Sequence, residues 1–124
     1  MPHWHAYTYT GHTRPPDREA RDPNSPTPPL VVADWPRKPR SMLAGTFTAV
    51  DDAMGWLAKQ LADTPPLTTA IAPELIIGYA RERLTQEPGD QVTRYYTAGS
   101  YACRDLVRCP PAGPCPDPPE GAGR

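Results

Sequence analysis

Apolar and polar residues alternate along four stretches of this chain, the pattern of strands with one face on a core. In His3–Thr10, Trp4, Ala6 and Thr8 share one side, and His3, His5, Tyr7 and Tyr9 share the other. Neither side is fully apolar, so an edge strand or an ordered arm is expected over 1–10. Met42–Val50 alternates about Leu43, Gly45, Phe47 and Ala49, and a short apolar run at Leu30–Ala33 reads as a further strand. Val92–Thr97 and Tyr101–Val107 flank Ala98-Gly99-Ser100, a hairpin turn. A helical reading of 101–108 is also open, because Tyr101, Asp105 and Arg108 would then share a face.

Two stretches carry the helical period. Met54, Leu57, Ala58 and Leu61 stand at i, i+3, i+4 and i+7 behind Asp51, which is placed to cap the helix, and Thr64-Pro65-Pro66 ends it. Pro73 suits the first turn of a second helix, running to about Gln86, with Leu75, Ile76, Tyr79, Ala80 and Leu84 as its buried face. The elements predict an α+β domain, a small, mostly antiparallel sheet with two helices packed on one face.

Composition narrows where that domain lies. Of 19 Pro, nine fall in the first 39 positions and six in 110–119. Proline cannot donate to a sheet ladder or sit inside a helix, so 11–41 is expected to be a loop or linker and 110–124 a disordered tail. The core is then 42–109, near the lower size limit for a domain that stands alone, and self-association or a protein partner would help it.

The formal charge of −1 excludes a broadly basic nucleic-acid binder but hides a pattern. Residues 42–90 carry three basic and seven acidic side chains, whereas 91–109 carry Arg94, Arg104 and Arg108 against Asp105 alone. The run Pro36-Arg37-Lys38-Pro39-Arg40 adds three more positive charges and reads as an exposed polyproline-like linker. The chain resembles, in composition only, small proteins of GC-rich bacterial genomes, where Arg is favoured over Lys whatever its role. No stretch approaches the roughly 18 apolar residues of a membrane span, and no basic start precedes an apolar leader. A soluble cytoplasmic protein is expected, and an odd count of three Cys fits a reducing compartment.

Three kinds of chemistry can be weighed. Cys103, Cys109 and Cys115 follow a C-x5-C-x5-C spacing, with His3, His5 and His12 as further donors. Structural zinc usually takes its thiolates as close C-x2-C pairs, so no metal and no cofactor are expected. His3, His5, Cys103 and Cys109 are the weak candidates, His3 and His5 because one strand face holds both. Cys103 or Ser100 lacks any activating motif around it, and the chain reads as a non-enzyme. Arg94, Tyr95, Tyr96, Tyr101, Arg104 and Arg108 form an aromatic and cationic hairpin, the expected partner-binding surface. An accessory or adaptor module binding a protein through this hairpin is the first functional expectation. Nucleic-acid association through Arg94, Arg104, Arg108 and the 36–40 run is the second, and a Cys/His metal protein or enzyme the third.

Overall fold

The computed structural model describes residues 2–67, 71–109, 115 and 117. Among these described residues, four strands and three helices form an α+β fold. They follow the order β1 (Trp4–Gly11), α1 (Asp17–Arg21), β2 (Leu43–Phe47), α2 (Val50–Asp63), α3 (Pro73–Leu84), β3 (Arg94–Tyr96) and β4 (Tyr101–Arg108). Two 3-10 turns, Val32–Arg37 and Arg40–Met42, lie between α1 and β2. The sheet order is β2-β1-β4-β3 and each neighbouring pair is antiparallel. No helix among the described residues is long and apolar enough to cross a membrane.

The expected edge strand is instead an inner one. β1 pairs with β2 on one side and along its whole length with β4 on the other, from Trp4 opposite Arg108 to Gly11 opposite Tyr101. Its weakly apolar faces misled because both are covered. Trp4 and Ala6 pack with Ala102, Leu106 and Tyr95 against Ala53, Met54, Leu57 and Leu61 of α2 and Ala80 and Leu84 of α3. The other face packs Tyr7, Cys103 and Val107 against Trp35 and Met42. Fully burying each of Leu57, Leu61, Leu84 and Leu106 contributes about 1.5–3 kcal/mol.

The helices begin and bury themselves somewhat differently from the pattern. α2 starts at Val50 after Ala49, with no side-chain cap, and Asp51 lies within its first turn, paired with Arg81 of α3. Ala53 takes the buried position expected of Ala58, which is exposed. In α3 only Ala80 and Leu84 are buried, while Leu75 and Tyr79 stand more than half exposed. The stretch 101–108 is a strand, not a helix.

Segment 11–41 is the largest correction, because it forms the second layer. Its proline-rich chain buries Ala20, Thr27, Pro28, Pro29 and the whole of Trp35, whose ring stacks on Tyr7 at 4.4 Å. Leu30–Ala33 bends into a 3-10 turn and makes no strand. Lys38, expected on an exposed linker, is buried, and its ammonium donates to the carbonyls of Glu19, Asp22 and Ser25 at 2.9, 2.8 and 3.3 Å. Three backbone acceptors thereby substitute for water around one charge. Burial lowers the Lys38 pKa, opposed by Asp22 and other nearby acids.

The two layers meet at Asp105, which has no exposed surface. Its carboxylate accepts from Trp35 Nε1 at 3.0 Å, the Thr93 backbone N–H at 3.0 Å and Arg94 Nη2 at 2.8 Å. Before β3, Gly89 lies at φ +87° with its carbonyl accepting from Trp4 Nε1 at 3.1 Å, and a Cβ there would meet Arg108 Cδ at 2.7 Å. Glycine is required at that position on both counts.

Asp105→Ala leaves the buried Trp35 and Thr93 N–H groups unpaired and takes the carboxylate from half-buried Arg94, and should lower unfolding free energy by about 3–5 kcal/mol in urea titration. Lys59→Ala, which breaks the exposed Lys59–Asp63 pair, should cost no more than about 0.5 kcal/mol in the same assay.

Candidate metal centre

Strand parity builds one end of the sheet into a donor cluster. His3 and His5 lie two residues apart, on the side of β1 that carries Tyr7. Trp4 pairs with Arg108, and the Cys109 N–H donates to the His3 carbonyl at 2.9 Å, so the ladder continues one step and sets Cys109 across from His3. Cys109 shares the strand side of Cys103, Asp105 and Val107, which is the side of His3 and His5. Cys115 closes the group, its Sγ 3.4 Å from His3 Nε2 and 3.4 Å from His5 Nε2. The donor atoms of His3, His5, Cys109 and Cys115 all lie within 4.8 Å of one another.

These separations suit a tetrahedral ion. Zinc–sulfur and zinc–nitrogen bonds of about 2.3 and 2.0–2.1 Å place neighbouring S and N donors about 3.6 Å apart. Two sulfurs and two imidazole nitrogens are a borderline-soft set that favours Zn2+ over Mg2+ or Ca2+. His5 is buried, and the other three ligands are half-buried.

The ring of His5 is oriented by a relay. Thr46 Oγ1, on β2, donates its single hydrogen to Asp117 Oδ2 at 2.7 Å. Toward His5 Nδ1, 2.9 Å away, the same oxygen can therefore only accept. Nδ1 carries the proton and Nε2 turns its lone pair to the cluster, the tautomer a metal ligand needs. Asp117 is in turn held by Arg40 at 3.6 Å. Burial, then His3, lowers the His5 pKa to about 4 against the opposing pull of Asp117, so the imidazole is neutral. Burial and the adjacent Cys115 push the Cys109 thiol up to about 11, and a bound divalent cation reverses that preference. Burial, with Cys109 and Cys115 nearby, raises Tyr7 to about 12.

Cys103, a weak metal candidate, is not in this cluster. It pairs with Tyr9 at the far end of the β1–β4 ladder, six residues or about 20 Å from Cys109. Its buried thiol is pushed well above its ordinary value by burial and by Asp105. Its place is taken by Cys115, beyond the Pro-rich break. Thr46 and Asp117 were also missed. Their signal exists only in three dimensions, since 41 and 71 residues separate the partners of the relay.

The aromatic–cationic hairpin is largely turned inward. Arg94 pairs with Cys103 and Tyr95 with Ala102, so Arg94 lies on one sheet face while Arg104 and Arg108 lie on the other. A shared arginine stripe is not formed. Arg94 binds Asp105 and the Pro29 carbonyl at 2.9 Å. Burial opposes its charge, but the Asp105 carboxylate outweighs this and raises its pKa. Arg104, buried, donates to Gln60 Oε1, the Tyr9 carbonyl and Thr10 Oγ1 at 3.0, 2.7 and 2.8 Å. It does not pair with Asp105, which occupies the opposite face. Arg108 holds Glu87 at 2.9 Å, Tyr95 donates to the Thr64 carbonyl at 2.7 Å, and Tyr101 is buried. Tyr96 alone of the three tyrosines is exposed, its ring 5.0 Å from Tyr101.

No protein-family model matches this chain, and no curated protein or solved structure matches it.

Proposed function

We propose that the chain is a non-catalytic binding module stapled by one Zn2+ ion, held by His3, His5, Cys109 and Cys115. The reading is carried by four S and N donors within 4.8 Å, one of them with its tautomer set for a metal. Four protein ligands complete a tetrahedral shell and leave no position for water or substrate, which favours a structural over a catalytic ion. Such an ion ties the first strand to the end of the last strand and to Cys115. A small core of this kind gains from a staple.

Recognition of a protein partner is the role that suits a module without a reaction centre. Its natural surface lies between α3 and the segment leading into β3, where the exposed Ile71, Tyr79 and Val92 line one cleft. The placement of Arg94 and Arg104 on opposite faces, each engaged internally, gives nucleic-acid association no continuous basic stripe to rest on.

Protein purified without chelator should carry about one zinc per chain in native mass spectrometry, a count set by the single four-donor cluster. Cys115→Ser and His5→Ala should lose it, and Cys103→Ala should keep it. Co2+ substitution should give the intense visible bands of a tetrahedral thiolate site. Metal-free protein with no measurable affinity for either ion would overturn the reading.

Because the ion binds the folded chain, zinc should also raise stability. Free Zn2+ at about 1,000 times its Kd should add about 4 kcal/mol to the unfolding free energy, and this gain should vanish in Cys115→Ser.

A further inference from the structure

A second site lies at the outer edge of the sheet, away from the point where the Leu67 N–H meets the Tyr96 carbonyl at 3.1 Å. Between α3 and the 91–95 segment runs a cleft of about 420 Å3, within the range of small-ligand sites. Ile76, Tyr79 and Val92 line it as apolar walls, and Tyr79 and Val92 are about half exposed there. Two guanidinium groups, Arg83 and Arg94, belong to its described lining, and no carboxylate does.

Gln91 supplies the more specific signal. Its Nε2 donates to the Val92 carbonyl at 3.2 Å and to Thr93 Oγ1 at 3.0 Å, which decides which end of the amide is oxygen. The side chain is buried, lines the cleft, and its Oε1 has no hydrogen-bond partner among the described residues. That oxygen has almost no accessible surface, so the groups open to a ligand belong to the backbone that Gln91 anchors. The backbone beside it is also open. Gln91 exchanges both ladder bonds with Leu106 at 2.8 and 2.9 Å, and the Thr93 carbonyl accepts from Arg104 at 2.7 Å. Residues 91 and 93 thus face β4, which turns the backbone N–H groups of Val92 and Arg94 outward from the edge.

We propose that this cleft binds the carboxy-terminal end of an extended peptide whose last residue is apolar. The terminal side chain lies against Ile76, Tyr79 and Val92. The outward N–H groups of Val92 and Arg94 donate to peptide carbonyls, and the terminal carboxylate meets Arg83, whose guanidinium is not part of any ion pair among the described residues. Arg94, neutralised by Asp105, helps form the wall and orients the edge strand. The proposal rests on the recognition half of the function above and is independent of its metal half.

The test uses zinc-loaded full-length protein and pooled N-acetyl tripeptides ending in Leu, Ile or Phe, offered as free acids and as carboxamides. In 15N-resolved NMR titrations the acids should shift resonances of Gln91–Tyr95 and α3 saturably, and the carboxamides should bind about tenfold more weakly. Arg83→Gln, an exposed change that leaves the fold intact, should remove that preference; Tyr79→Ala, at an exposed wall of the cleft, should weaken acids and amides alike. Equal binding of acid and amide, shifts centred elsewhere, or no shifts up to millimolar peptide would each overturn the proposal. Failure of the metal reading would show separately, as absent zinc in the same preparation.

Discussion

A carboxylate without solvent sets the terms for the rest of this fold. Asp105 lies in the middle of β4, wholly buried, and an isolated charge there would be prohibitively costly. It is tolerable because a backbone N–H, an indole N–H and a guanidinium converge on it. Those three donors come from different places: the bend before β3, the 3-10 turn around Trp35, and β3 itself. Satisfying one charge therefore specifies how the proline-rich segment seats on the sheet and how the outer strand is held. A hydrophobic residue at 105 would bury as well, but it would select neither partner. The same logic applies in reverse to Lys38, whose ammonium gathers three carbonyls of the 19–25 loop around it.

This charge network also explains which parts of the fold were legible in the sequence. Period-two alternation found β1, β2 and β4, and the Met54–Leu61 stripe found α2, because those signals are local. The α+β class followed from them. The inner position of β1 was not legible: Trp4 and Ala6 on one side and Tyr7 on the other look half-committed until two separate layers cover them. Segment 11–41 misled for a related reason. Its burial depends on Trp35 finding Tyr7 and Asp105, and on Lys38 finding carbonyls, contacts that no local pattern encodes. Proline richness kept ladder pairing out of most of that segment, yet Asp17–Arg21 and two 3-10 turns still form in it, and proline did not exclude packing.

The donor cluster shows the same limit in another form. Close C-x2-C pairs signal zinc because a short loop delivers two thiolates by itself. Here an antiparallel ladder does the delivering, and it brings Cys109 beside His3 across more than 100 residues. The His3–His5 pair was visible, since alternate positions on a strand share a face. Cys109 follows only once β1 and β4 are known to be neighbours, and Cys115, behind prolines, has no local signal at all. The arginines failed in the opposite direction. They look like a surface in sequence, yet cross-strand register divides Arg94 from Arg104 and the interior engages both.

What these placements leave is a division of labour between the ends of the sheet and its edge. Polar side chains that suggested recognition hold the two layers together, and His3, His5, Cys109 and Cys115 converge on one donor cluster. The surface proposed for a partner is then the flank of α3 and the 91–95 segment. α3 is the weaker helix for the same reason: Leu75 and Tyr79, apolar at helical spacing, do not reach the core, so their spacing cannot be explained by packing inside the chain. A small core held by an internal charge network, and in the proposed reading by a terminal zinc staple, can leave such residues outside without losing its fold. Exposed apolar positions on one helix, beside a strand edge whose Val92 and Arg94 N–H groups face outward, are what the proposed partner laid along that edge would cover.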